Sequence, residues 1–279
     1  MKVMNHLFSA LLLSLAMIPT LSTAKGKILA TPGVAQVEGA GGGGLVPWAQ
    51  LAGYASEDEI ALSAFCTQAT VSDFKLNSCG AQVNLYDRVE VSFAQQNFDV
   101  DPLSLTLSQN IIGLKLRLYG DLIYSSWPQL SLGLQHKSIA DNDIAYALGA
   151  KEDSGTDVYL AASKLHLGLL AGYNVLWNTS IRYTKANEMG LLGFGGPTES
   201  GALQLEASVA VLLNKHIAIG TEYRQKPDNL GLKESDWRDV FIAWFPNKHI
   251  NLTLAYVDLG TIAAVPEQTG WYLSLSGSY

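Results

Sequence analysis

Charge is scarce in this 279-residue chain. Asp, Glu, Lys and Arg make up 15% of it, against the roughly 25% usual for soluble domains. Basic residues are the scarcer sign, with Lys+Arg 18 against Asp+Glu 25 and a formal net charge of -7, which excludes the basic surface a phosphate backbone needs. Nucleic acid is therefore not an expected partner. Cysteine is limited to Cys66 and Cys79, too few for a disulfide-framed miniature fold. Gly 26 and Pro 9 are ordinary numbers, so the chain is neither collagenous nor low-complexity. No apolar run reaches the 18 residues a membrane helix needs.

One apolar run is present at the amino terminus. Lys2 precedes Leu7 to Ile18, and Ser22-Thr23-Ala24 offers small residues for cleavage. Twelve apolar residues suit a signal peptide better than a span. The expected division is a cleaved leader over 1–24 and one barrel domain over 25–279, opening with a Gly-rich segment at 25–44. Removing the leader takes one lysine and no acid, leaving 17 basic against 25 acidic residues.

Beyond residue 80 the dominant signal is a period of two. Val83, Leu85, Val89, Val91 and Phe93 alternate with polar residues around Tyr86-Asp87-Arg88. The pattern returns at Ile112 to Leu118, Val175 to Tyr183, Leu203 to Val211, Ile217 to Tyr223, Val240 to Trp244 and Ile250 to Tyr256. Each reads as a strand with one apolar face; a short helix is expected near Asp143 to Ala150. A soluble sandwich alternates too, but three further features favour a membrane barrel. Connections alternate short and long, with Asp99 to Asn110 read as a long one; aromatics (Tyr86, Tyr119, Tyr173, Trp244, Phe245) gather beside the tight turns; and the chain stops on an alternating strand, Gly270 to Tyr279. Closing the sheet satisfies every strand's backbone in lipid and removes the apolar edge that this last strand would leave.

The fold class expected is thus all-β: a transmembrane up-and-down antiparallel barrel with short periplasmic turns and long outer loops. Strand parity, with both termini periplasmic, asks for fourteen strands, the first pair drawn from Pro32 to Gly44 and Ala49 to Ala55. Twelve is the alternative, with that first pair serving as a plug or periplasmic tail.

Several stretches carry a resemblance. They are GKILAT at 26 to 31, GGGLVPWA at 42 to 49, LYDRVEVSFAQQ at 85 to 96, ALGAKEDSG at 147 to 155, LGFGG at 192 to 196, EYRQKPDNL at 222 to 230, WFPNKHI at 244 to 250, AYVDLG at 255 to 260 and GWYLSLSGSY at the end. Together they resemble an uncharacterised domain-of-unknown-function family of proteobacterial outer-membrane barrels. The resemblance covers nearly the whole mature chain and implies the architecture; it brings no activity and no site residues.

The candidate site residues are the charges on the inward parity: Glu90, Lys115, Arg117, Arg182, Glu206, Glu222, Arg224 and Lys226. A hydrated lumen accepts them where a solid core would not. They either set a field that selects solutes or form salt bridges that hold the barrel shut. Cys66 and Cys79 fall opposite each other if Ser72-Asp73 is a two-residue turn, within reach of a disulfide in an oxidising compartment; otherwise they are two small thiols. His136 and Ser138 form an H-x-S triplet resembling the catalytic pair of outer-membrane lipid A deacylases, without an evident acid beside it. His166, His216 and His249 lack zinc-like spacing, so neither a metal nor any other cofactor is expected. The acidic loop Asp141 to Ser154 lacks a calcium-loop register, and the apolar loop Leu191 to Gly196 reads either as a constriction folded inward, the favoured reading, or as a contact with the lipopolysaccharide layer.

The functional expectation is a channel or facilitator for small solutes in the outer membrane of a Gram-negative bacterium, and not an enzyme. The alternatives are a lipid-modifying enzyme and a non-conducting structural barrel. Expected partners are outer-membrane lipid and lipopolysaccharide, and the barrel-assembly machinery through the strand ending at Tyr279.

Overall fold

A computed structural model describes residues 27–100, 104–198 and 201–279; the leader read over 1–24 lies outside the described residues. Two short strands, β1 (Val34–Ala35) and β2 (Gly41–Gly42), pair with each other alone. The rest of the sheet begins with β3 (Ile60–Val71), β4 (Phe74–Leu85), β5 (Val89–Val100), β6 (Leu105–Tyr119), β7 (Gln129–Ile139) and β8 (Ser154–Leu170). It continues with β9 (Tyr173–Thr184), β10 (Ala202–Leu212), β11 (Ile217–Arg224), β12 (Trp237–Trp244), β13 (Ile250–Asp258) and β14 (Thr269–Ser278). Each strand from β3 onward is antiparallel to the next, and β14 returns to β3 to close the barrel. The seam is stitched to its last residue, because Leu62 and Tyr279 each donate a backbone N–H to the other's carbonyl at 2.8 and 2.7 Å.

The alternation decides which side faces out. Ile181 is 53% exposed and its neighbour Arg182 1%. Leu62, Ile112, Leu160, Val240 and Leu273 likewise stand on the outer surface, while Gln96, Lys115, Lys137, Glu206 and Ser274 are buried inside. An apolar outside and a polar inside are the reverse of a water-soluble protein and suit a barrel wall in lipid. Tyr86, Tyr119, Tyr173 and Trp244 are exposed at the turn end of this wall. Phe245 is not, since it is buried and donates its N–H to the His216 carbonyl. A second group of aromatics, including Tyr256 against Trp271 with ring centroids 5.3 Å apart, marks the opposite margin.

Twelve strands close the barrel among the described residues, the alternative count with the first pair as a plug and not the fourteen that parity asks for. The stretch expected to supply the first pair lies inside instead. From Gly39 to Ala52 every residue is buried, so there is no period of two and no face to offer lipid. Glycines let this segment touch the wall closely: a Cβ on Gly43 would lie 1.7 Å from Glu222 Oε1. The connection read as long over Asp99 to Asn110 is also shorter, because β5 runs to Val100 and β6 starts at Leu105. The longer connections at that end are 140–153, 185–201, 225–236 and 259–268. The first carries a five-residue helix α1 (Asp143–Ala147).

Cys66 and Cys79 are paired in register and joined by a disulfide on the outward face, with Cα atoms 4.1 Å apart. Maleimide should therefore label neither thiol in denatured, unreduced protein and both after reduction. Replacing both cysteines by serine should lower stability by up to about 3 kcal/mol, the chain-entropy value for a loop of this size, measured as a fall in denaturation midpoint.

Candidate functional site: the plugged lumen

Residues 27–59 enter the barrel at its turn end, climb, turn and descend to β3. Lys27 sits beside Asp87 of the Tyr86-Asp87-Arg88 turn, with Nζ 2.7 Å from Oδ1. The short β1–β2 hairpin leaves most of this plug without strand partners, so its buried backbone groups need others. The inward side chains of the wall provide them. Ser78 and Gln96 donate to the carbonyl of Val37 at 2.6 and 2.8 Å, and Gln82 to that of Gly39 at 2.7 Å. Gln129 and Ser131 donate to the carbonyl of Ala49 at 2.7 and 2.6 Å, and Asn84 to that of Ala52 at 2.9 Å. Ser163 accepts the N–H of Ala49 at 2.9 Å.

Charges hold the plug at three places. At its tip, the Gln36–Ala40 turn aims Glu38 at Lys137, Arg224 (2.8 Å) and Arg182 (3.6 Å). Those cations are shared with Asp157 and Glu206: Lys137–Asp157 is 2.7 Å, Arg182–Asp157 3.2 Å, Arg182–Glu206 2.8 Å and Arg224–Glu206 3.4 Å. Three acids thus meet three bases in a closed, buried and neutral group. At the second place Glu90 accepts the N–H groups of Gly41 (3.0 Å) and Ala52 (2.7 Å), while Lys115 donates to the carbonyls of Gly41 (2.7 Å) and Gln50 (2.9 Å). This one ion pair clamps the start of the limb after the tip to residues 50–52. At the third, Glu222 accepts the N–H of Leu45 at 2.6 Å and the hydroxyl of Ser208 at 2.8 Å. Asp239 faces Glu222 across β11 and β12 and accepts its N–H at 2.9 Å.

Six of the eight charges expected in the lumen therefore meet the plug or its network: Glu90, Lys115, Arg182, Glu206, Glu222 and Arg224. Arg117 lies at the turn-end mouth with Asp87 and Asp121. Lys226 lies at the loop-end mouth, 2.6 Å from both Glu188 and Glu234. Sequence reading missed Lys137, Asp157 and Asp239, whose inward parity was legible in β7, β8 and β12, and Glu38, whose charged partners are all more than ninety residues away. His136 and Ser138 face outward; the His136 ring nitrogen contacts Thr156 Oγ1 at 3.0 Å, not a carboxylate. Among the described residues no group of three His, Cys, Asp or Glu side chains could hold a metal ion.

The loop-end mouth is covered by 185–196. Ala186 to Gly196 is buried throughout, tied by Gln109 to the carbonyl of Met189 (3.3 Å) and by Asn229 to Asn187 (3.0 Å). Voids of about 30 and 20 Å³ remain inside, room for single waters.

Replacing Glu38 by glutamine keeps the shape and leaves the three cations with one charge in excess. A loss of about 3–5 kcal/mol in plug docking is expected, the cost of breaking a buried pair, read as faster amide exchange over 33–53 with the barrel ladder protected. The cover responds to pH. Burial, and the Glu188 carboxylate beside it, push Glu234 up to about 9. An acid whose folded pKa is raised stabilises most below its unfolded value and loses that contribution as pH rises toward the folded one. Amide protection factors over 185–196, corrected for the base catalysis of exchange itself, should fall between about pH 4.5 and 9, and Glu234→Gln should flatten that dependence.

No curated protein matches the chain. Among solved structures it is similar to a KdgM porin at 9% identity, over 78% of this chain and 99% of that one, with a TM-score of 0.48. It is similar to Omp33 of Acinetobacter baumannii at 5%, over 80% and 100%, with a TM-score of 0.49. A third is the COG4313 outer membrane channel of Pseudomonas putida F1, at 14% over 79% and 95%, with a TM-score of 0.44. The family model described as "Protein of unknown function (DUF3034)" matches residues 31–276, and the chain belongs to that family.

Proposed function

We propose that this protein is an outer-membrane channel for small solutes, exported by its leader and closed at rest by its own amino-terminal segment, which withdraws toward the periplasm to open it. The observation that carries the reading is that a glycine-rich plug enters and leaves through the same mouth. Its backbone is held mostly by hydrogen bonds and ion pairs that water can replace, while burial of Leu45, Val46, Trp48 and Leu51 keeps it docked at rest. The lumen is then charged but nearly balanced. Without Glu38 the wall keeps Lys115, Lys137, Arg182 and Arg224 against Glu90, Asp157, Glu206, Glu222 and Asp239, one acid in excess. Lipopolysaccharide at the loop end and the assembly machinery at the β14 seam are the partners this placement suits.

The close packing of the lumen, with only small voids left inside, favours a second reading, a barrel that never conducts and serves as a structural element. The lipid-modifying alternative has less support, because His136 is engaged by a hydroxyl and not by an acid.

Planar-bilayer recordings separate the two. The intact barrel should be almost silent, and removal of residues 33–53 should produce steady conductance with a weak preference for cations, seen as a reversal potential in a salt gradient. A folded but silent deletion variant would rule out the channel and leave the structural barrel.

A further inference from the structure

The plug tip is itself amphiphilic. Glu38 places its carboxylate among Lys137, Arg224 (2.8 Å) and Arg182 (3.6 Å). The preceding Val37 lies with Leu45 against Phe74, Leu76, Phe98 and Val257, around a void of about 30 Å³. Trp237 joins the two sides, since it lines the same void and carries the Arg224 guanidinium over its ring, 5.6 Å from the centroid.

The wall is divided at this height. Near the loop end, β7 to β11 bury Lys137, Asp157, Arg182, Glu206 and Arg224, whereas β4, β5 and β13 bury Phe74, Leu76, Phe98 and Val257. Phe74 and Phe98 stack with centroids 5.1 Å apart and form a flat apolar panel. Water would wet that panel unfavourably once the tip left.

Withdrawal of the tip, the opening step proposed above, leaves two demands side by side. Lys137, Arg182 and Arg224 keep only Asp157 and Glu206, so one positive charge is in excess, and the apolar panel next to it loses Val37. A neutral apolar guest meets only the second demand, and a bare small anion only the first. A carboxylate carrying an apolar body meets both: the guanidinium groups match its planar oxygens and the panel takes its body. Glu222 and Asp239, which give the open lumen its overall acid excess, stand one inward position nearer the turn end on β11 and β12. They bias a salt current through the whole lumen, while a guest in the tip's place meets the cations first.

We infer that the place of Val37 and Glu38 is a binding site for small monocarboxylates with an apolar or aromatic body, and that such a solute displaces the plug tip by taking over its contacts. This rests on the proposed withdrawal of the plug and names the class of solute it admits.

The test uses the full chain refolded in detergent, with calorimetric titration of 3-phenylpropionate, 3-phenylpropanol and acetate at one pH and ionic strength. Glu38→Gln removes the competing carboxylate, so it should bind 3-phenylpropionate saturably and at least about tenfold more tightly than wild type. In that variant the alcohol and acetate should each bind at least about tenfold more weakly than 3-phenylpropionate. Adding Arg224→Gln restores charge balance and should bring 3-phenylpropionate down to the affinity of the alcohol. In wild type, excess 3-phenylpropionate should lower amide protection over 36–40, where Gln36 donates to the carbonyl of Ala40 and Gly39 to that of Gln36, and acetate should not. That second measurement decides the matter even if Glu38→Gln fails to refold. Equal binding of the alcohol or of acetate would overturn the assignment, as would unchanged protection over 36–40 in wild type. A plug-deleted barrel that conducts, beside a full chain that fails these tests, would remove the site and leave the channel. A silent plug-deleted barrel, beside a full chain that passes them, would remove the channel and leave the site.

Discussion

Glu38 is the point on which the interior turns. It is the plug's contribution to a buried group of three acids and three bases, and with it the lumen's central charges sum to zero. Without it, Lys137, Arg182 and Arg224 would share only Asp157 and Glu206 in a low-dielectric space, where an uncompensated charge is expensive. The wall's charges and the plug's position thus depend on each other. The glycines around Glu38 serve the same end by letting the chain lie against wall side chains that a Cβ would displace, as at Gly43 and Glu222.

Around that centre the two polar inventories are complementary. The plug has little sheet of its own, so it carries many backbone groups with no ladder partner. The inner wall carries serine, asparagine and glutamine side chains with no water to meet. Each satisfies the other, and Ala49 illustrates the match with its N–H and its carbonyl both taken by wall side chains. These hydrogen bonds are specific in geometry yet modest in net energy per contact, and Leu45, Val46, Trp48 and Leu51 are buried beside them. The short cover at 185–196 closes the other mouth, with Phe194 and Leu191 among its buried side chains.

Much of the wall was legible in the amino-acid order. A repeat of two residues specifies which side chains share a face, so Ile181 against Arg182, or Ile219 against Glu222, could be sorted without coordinates. The same counting, outward from Ser72-Asp73, puts Cys66 opposite Cys79, which is their register in the sheet. Arg117 and Lys226 also carry the inward parity, but parity says nothing about height. One stands at each mouth, paired with loop or turn carboxylates, because strand tilt and loop shape set depth. Phe245 shows the same limit at the girdle: adjacent to an outward tryptophan, it turns inward just past the end of β12.

What the sequence determined alone was the local rule: alternation, turn positions, and hence an all-β sheet with an apolar and a polar side. What only the tertiary structure decided was the fate of residues 33–53 and the number of strands. A stretch such as Gly39 to Gly44 has almost no side chains with which to declare a face, so nothing local distinguishes a wall strand from a plug. The choice is made by partners distant along the chain, above all the cations on β7, β9 and β11 that converge on Glu38 once the barrel has closed.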